Sequence, residues 1–469
     1  MTDGGSSIWW VRKDLRLTNN PTLELASRGQ REVIPLFILD PVFIRATQSR
    51  RVEFLFSGLI ELDKQLRRLN SKLFVQLGKP EQVLKQASSQ FEASVYAEED
   101  YTPDAKQLAE KIIQEVPLIL SRGLTIFHPD EVRTDSGAPY KVFSQYKKRW
   151  LSLHVPRQVE YDVESINFAP PQRLESTSIP EPSTSVNSGE IAGLKKAYAF
   201  LAEDGDIFDY SVNRSRMDRE LTSGLSPFLN LGMVSIDVLM QKAFGLVTKP
   251  SLSSTQRSAV ETWISELIWR EFFQAAIYHF PHTETKSFRP AFDHIAWNLD
   301  DNDLLTWKNG ATGYPIVDAC MRQLAAKGTM HNRGRMIVAS FLVKDLLIDW
   351  REGASWFMQN LTDGDIAANT GGWQWTAGTG LDAAPYFRVF NPILQGQKFD
   401  PNGEFVRSWI PELRHIEDKY VHKPWESPLI GKNATSINGY PLPMVDHFVA
   451  RTATLSAFES AKNLFGDTP

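Results

Sequence analysis

The stretch Ser7-Ile-Trp-Trp-Val11, followed at once by Arg12-Lys-Asp-Leu-Arg16, decides the class of the fold. A short apolar run closed by a charged cluster reads as a buried strand, and runs at 33–39, 73–77 and 94–97 repeat the pattern. Between the second and third runs, Phe54, Leu55, Leu59, Leu62, Leu66 and Leu69 fall near helical spacing over 52–69. Strands alternating with helices in this way predict an α/β N-terminal domain with a parallel, Rossmann-like sheet. A nicotinamide-binding fold would carry GxGxxG after its first strand. The cluster from Arg12 to Arg16 stands there instead, so a dehydrogenase loses its main support.

Working outward, 469 residues are enough for two or three domains. From 168 to 189 the composition turns to Pro, Ser, Thr and Glu, which cannot bury enough apolar surface to order itself and predicts a connector. The expected division is an α/β domain over 1-135, a connector over 136-195 and an all-helical domain over 196-469. Beyond the connector, patterns at 191–201, 235–244, 255–280, 314–326, 335–349 and 354–361 suit helices, and alternation of period two is scarce. The 51 Lys and Arg against 56 Asp and Glu give a net charge of -5, so any basic contact surface is local. A single cysteine, Cys320, excludes an internal disulfide and a thiolate metal cluster and fits a reducing compartment. No stretch approaches 18 uncharged apolar residues and the N-terminal residues do not resemble a signal peptide, so a cytoplasmic protein with no membrane partner is expected. Of 13 tryptophans, ten lie between Trp263 and Trp425.

Four segments carry candidate chemistry. On a helix, Trp263, Glu266, Trp269, Arg270 and Phe273 share or border one face, which places a carboxylate and a guanidinium among indoles. The bland alternative is a core stripe with a surface Glu266–Arg270 pair. His331, Asn332, Arg333 and Arg335 gather at an expected helix start, where free N–H groups and the dipole favour an anion such as phosphate. Residues 363–375 read as a loop holding Asp363, Asp365, Asn369, paired glycines, Trp373 and Trp375, a setting suited to a flat ligand. Residues 210–226 combine Arg214, Arg216 and Arg219 with the hydroxyl-rich turn Thr222-Ser-Gly-Leu-Ser226, able to cradle phosphates. His279 and His282 lack a metal-site setting, so no metal is expected.

Together these segments resemble the photolyase/cryptochrome flavoprotein family, over nearly the whole chain from Arg12-Lys-Asp-Leu-Arg16 to Pro411-Glu-Leu-Arg-His415. The resemblance implies an antenna-binding α/β domain and a helical domain that holds FAD. It assigns Tyr210, Thr222, Ser223, Leu225, Ser226, Trp263 and Asn332 to the FAD pocket. Arg335 and Asp363 would form an ion pair beside the isoalloxazine, Asp365 would contact its polar edge, and Asn369 would face N5. A neutral amide at that position suits an anionic FADH⁻, whereas plant-type cryptochromes carry Asp there. Trp297, Trp350 and Trp373 match the family's electron relay, with core packing as the bland alternative.

Six-four photolyases use a His pair where this chain has Asn332 and Met336. Glu266, Asn332 and Met336, with Trp269 and Trp375 as apolar walls, resemble instead the lesion site of class I cyclobutane pyrimidine dimer enzymes. Photolyases are themselves a standard example of base flipping, so a flipped-out dimer is implied. Arg214, Arg270 and Arg333 would contact the flanking phosphates. The implied reaction is light-driven electron transfer from FADH⁻ to the dimer by a monomer acting on UV-damaged DNA. Two positions depart from the family pattern: Thr329 replaces the usual Trp, and Thr370 a common second Asn. An antenna is implied, with methenyltetrahydrofolate, 8-hydroxy-5-deazaflavin and FMN all open. The competing reading is a cryptochrome-type blue-light receptor without repair activity.

Overall fold

The computed structural model describes residues 5–46, 49–155, 160–183, 186–428 and 436–465. Their contacts form two compact units, Met1–Ser211 with Thr222–Pro281, and Val212–Leu221 with His282–Pro469. By these contacts the helices up to Pro281, other than the segment Val212–Leu221, fall within the first unit.

The first unit is built on five parallel strands, β1 (Ser6–Val11), β2 (Glu32–Leu39), β3 (Phe74–Leu77), β4 (Ser94–Glu98) and β5 (Leu118–Ser121), in the order β3-β2-β1-β4-β5. The four runs read from sequence are β1 to β4. β5 escaped that reading because it is an edge strand of four residues with little buried surface. The order reverses between β1 and β4, the arrangement of a doubly wound sheet. A long helix, Ser254–His279, begins with a capping box between Ser253 and Gln256 and buries Trp263, Leu267, Ile268 and Phe272.

The described part of the connector around 167–177 packs on the sheet, contrary to the expectation that the segment could not order itself. It has no core of its own and instead borrows backbone partners from the sheet. Val33 N–H donates to Asn167 O and Ala169 N–H to Val33 O, both at 2.8 Å, while Val75 N–H donates to Ser176 Oγ and Thr177 N–H to Val75 O. Phe168 and Ala169 are buried beside β2. Satisfying strand N–H and C=O groups supplies what the apolar-poor sequence could not.

The second unit is helical. Its core gathers Trp307, Val317, Phe341, Trp350, Trp373 and Phe458 on helices that include Pro315–Lys327, Asn332–Ser340, Trp350–Asn360, Ile366–Ala377 and His447–Phe465. The single helix expected over 335–349 is broken. After Ser340 a π-helical turn, Phe341–Asp345, follows, and the chain then passes through Leu347 with a φ of 51°. Among the described residues no helix is long and apolar enough to cross a membrane.

Candidate active site

In the first unit, Tyr210 and Trp263 both pack on Phe200, at 6.1 Å edge-on and 5.4 Å tilted. Both are buried, so this part of the expected flavin pocket is a rigid aromatic wall. In the adjoining turn, Leu225 is buried while Thr222 and Ser226 are exposed. Gly224 lies between them with a φ of 56°, a left-handed geometry that glycine adopts without strain. The turn leads into a short helix, Ser226–Asn230. Farther along, the half-buried Trp269 stacks on Phe143, with 3.6 Å between centroids and 10° between planes, so one face of the indole is already covered. Arg270 donates from Nη1 to Leu124 O at 2.7 Å, which fixes the guanidinium against a backbone carbonyl. The next residue, Glu271, is fully buried; it accepts from Ile126 N–H and Trp150 Nε1–H at 2.7 Å, and burial pushes its carboxyl up to about 7.

In the second unit, the segment expected as a loop is a helix, Ile366–Ala377. Asp365 caps it by accepting from Ala368 N–H at 2.7 Å, and burial of Ala367, Thr370, Trp373 and Gln374 outweighs the helix penalty of its glycines. Trp373 is buried while Trp375 is half-buried, so alternation does send the two indoles into different surroundings. Arg335 donates from Nη2 to both oxygens of Asp363, at 3.0 and 2.8 Å, and from Nε to Met330 O. The ion pair expected from sequence is thus formed. Asn369 donates one Nδ2–H to Ala354 O at 3.0 Å, which fixes the amide's orientation and leaves its Oδ1 acceptor and second N–H for other partners.

The first turn of the helix Asn332–Ser340 carries Asn332, Arg333, Arg335 and Met336, with Asn332 exposed. His331 caps it, its Nδ1 accepting from Arg333 N–H at 3.1 Å. His331 stands at the expected helix start, and its ring is neutral there: burial, then Arg333, Arg335 and Arg214, hold it down to about 4. Arg333 lies over the Phe399 ring at 4.3 Å, and burial together with Arg214 lowers its pKa. The mutual repulsion of these cations favours an anionic neighbour.

Trp350 and Trp373 are 1% and 2% exposed, and Trp297 is half-buried with its ring edge-on to Phe458 at 6.0 Å. All three indole N–H groups are buried and lack a protein acceptor among the described residues. The buried indoles Trp9, Trp150 and Trp307 instead donate to Asp14, Glu271 and Val338 O. Sequence reading missed Lys344 and the pair Asp345–His447, all buried in this unit. The available signal was a Lys-Asp pair inside an otherwise apolar run.

Residues 7–164 match the DNA photolyase family model and residues 263–460 match the FAD-binding domain of DNA photolyase. The deoxyribodipyrimidine photo-lyase of Escherichia coli is 37% identical over 97% of this chain and 98% of its own, and that of Vibrio cholerae 36% over 97% and 99%. A class III photolyase from Agrobacterium tumefaciens superposes with a TM-score of 0.88 at 35% identity, covering 99% of both chains. A Synechocystis cryptochrome superposes at 0.87 with 28% identity, covering 97% of this chain and all of its own. The chain belongs to the DNA photolyase branch of the photolyase/cryptochrome family.

Proposed function

We propose that the chain repairs cyclobutane pyrimidine dimers in UV-damaged DNA, acting as a monomer on a flipped-out lesion. When bound and reduced, FAD supplies the photoexcited electron for the dimer. The protein binds, orients and excludes water. Tyr210, Thr222, Ser223, Leu225, Ser226, Trp263, Asn332, Arg335, Asp363 and Asp365 hold the cofactor. The observation that carries this reading is the orientation of Asn369. Its Nδ2 donates one hydrogen to Ala354 O, which leaves Oδ1 as an acceptor suited to a flavin N–H in the reduced cofactor, and the amide cannot supply a proton as an acid would.

Glu266, Asn332 and Met336 contact the lesion, Trp269 and Trp375 wall it, and Arg214, Arg270 and Arg333 hold the neighbouring phosphates. Trp269, with one face held against Phe143, is a rigid stacking platform. This residue set is the class I pattern. Trp297, Trp350 and Trp373 relay electrons to oxidised flavin. The work divides into an antenna domain over 1-135, a connector over 136-195 and a catalytic domain over 196-469, with methenyltetrahydrofolate, 8-hydroxy-5-deazaflavin or FMN as antenna. One structural relative, the archaeal photolyase from Sulfolobus tokodaii, is described with two FAD molecules, which adds FAD to that set.

The test is illumination of the reduced protein with a thymine-dimer oligonucleotide while pyrimidine absorbance is followed. Recovery of absorbance supports repair. No recovery, with flavin photoreduction intact, refutes it and favours a cryptochrome-type receptor.

A further inference from the structure

Lys344 is fully buried in the second unit, and neither the flavin nor the lesion contacts proposed above use it. It sits in the π-helical turn Phe341–Asp345, a distortion often found at functional positions. Its Nζ donates to Ala377 O at 2.6 Å and lies 3.6 Å from the centre of the Phe458 ring. Thr454 Oγ1 holds its carbonyl at 2.6 Å. No carboxylate lies within ion-pair distance of it among the described residues, although burying an unpaired ammonium is costly. Phe458 in turn meets the Trp297 indole edge-on at 6.0 Å. Laid end to end, these two steps put the ammonium within about 10 Å of that indole.

We propose that Lys344 is a positioning residue for the electron relay, its charge governing how readily the Trp297 indole gives up an electron. The proposal rests on the relay assignment above. One electron leaves Trp297 and passes through Trp350 and Trp373 to oxidised flavin, leaving a positive indole radical that an added one-electron donor refills. A charged Lys344 repels that positive indole, whereas a neutral Lys344 does not. Burial brings the Lys344 pKa down to about 7, so both forms are populated near neutrality. At about 10 Å and an effective dielectric near 20, the repulsion changes the equilibrium population of the oxidised indole about tenfold.

Other ionisable groups are present on the surrounding elements. Asp345 is bound to His447 on the helix His447–Phe465, and Lys462 on the same helix lies over Tyr386. On the helix Trp350–Asn360, Arg351 pairs with Asp349 and Asp293. These groups all remain in a Lys344→Met variant, so the difference from the parent isolates Lys344. The bland role, capping the carbonyl end of the helix Ile366–Ala377, predicts lost stability with unchanged electron delivery per bound flavin.

The experiment measures flavin photoreduction yield in the FAD-loaded protein from pH 6 to pH 8.5, with ferrocyanide as the donor. Transient absorption follows the lifetime of the indole radical in the same samples. The parent yield should rise about tenfold across this range, while Lys344→Met should be high and flat. Equal pH slopes in parent and variant, or a flat parent profile with a slow Trp297→Phe, overturn the proposal and leave the relay standing. Normal photoreduction in Trp297→Phe removes the relay reading and this proposal with it. Should Lys344→Met fail to retain flavin, Lys344→Gln carries the same expectation, and a flat parent profile overturns the proposal without any variant.

Discussion

Replacing Gly353 by alanine tests whether Trp373 is held rigidly, as an electron relay requires. Gly353 lies in the helix Trp350–Asn360, and a Cβ there would meet Trp373 Cη2 at 2.0 Å, Cζ3 at 2.4 Å and Cζ2 at 2.6 Å. All three atoms belong to one rigid ring that is only 2% exposed and further enclosed by Trp307 and Phe357. No single flexible atom can swing aside, so the indole or a helix must move. In a helix interior the exchange of glycine for alanine gains about 1 kcal/mol of propensity, while overpacking a filled core costs about 1–3 kcal/mol. With three contacts far below van der Waals distance the upper part of that range applies, which leaves a net loss of about 1–2 kcal/mol. On the scale of a 150–250-residue domain this lowers the melting temperature by about 2–8 °C. Gly245→Ala is the control, since a Cβ at that helical glycine meets nothing within 4 Å and its melting temperature should rise slightly. The assay is thermal unfolding of both variants with photoreduction of bound flavin alongside. A rise in Gly353→Ala equal to that of Gly245→Ala, with normal photoreduction, would refute the argument that Trp373 is locked in place.

Glu266→Gln should bind dimer-containing DNA with little change while the repair yield per photon falls, and an unchanged yield would reduce Glu266 to a structural group. Trp373→Phe should slow photoreduction of oxidised flavin yet spare repair once the enzyme is reduced chemically; normal photoreduction would mean that electrons enter elsewhere. Asp363→Asn removes the charge facing Arg335, a pair in which the acid is 5% exposed and the guanidinium 29%. Flavin should then be lost on dilution, and full retention would show that the pair does not hold the cofactor. Glu271, raised to about 7 by burial, binds its proton more tightly folded than unfolded. Its contribution is therefore complete below the unfolded value near 4.5 and is lost as pH rises through about 7, by up to about 3 kcal/mol. Melting temperature should fall between pH 5 and pH 8 in the parent and less steeply in Glu271→Gln; equal slopes would remove Glu271 as the cause.

The sheet was legible because buried parallel strands are continuous apolar runs, and β1 to β4 are such runs. β5 was not, since a four-residue edge strand with Ile119 37% exposed carries little periodic signal. The Arg335–Asp363 pair could be read only through family resemblance, because 28 residues separate its members and no local spacing links them. The helix Ile366–Ala377 was hidden by its own composition. Paired glycines and polar residues suggest a loop, and only the Asp365 cap and the burial of Trp373 favour a helix. Lys344 was invisible for a related reason: a lysine in sequence predicts solvent, and only the fold shows it at 0% exposure.

Hydrogen bonding separates six of the buried and half-buried tryptophans into two groups. A buried N–H left without an acceptor costs about 1–3 kcal/mol, so an indole kept only for its bulk would be better served by a partner or replaced by phenylalanine. Trp9, Trp150 and Trp307 have partners. Trp297, Trp350 and Trp373 have none among the described residues, and these are the three positions assigned to the relay. Trp307 sharpens the contrast, because its ring meets Trp373 edge-on at 6.2 Å yet its own N–H is bound to Val338 O. Proximity to the flavin-side indole therefore does not account for the missing bonds. An acceptor beside an oxidised indole would stabilise the positive charge or take its proton and trap the hole there. In the proposed relay, three indoles without acceptors would form a path with no such trap, so an uncompensated N–H that is a defect in a packing residue suits one that passes electrons onward.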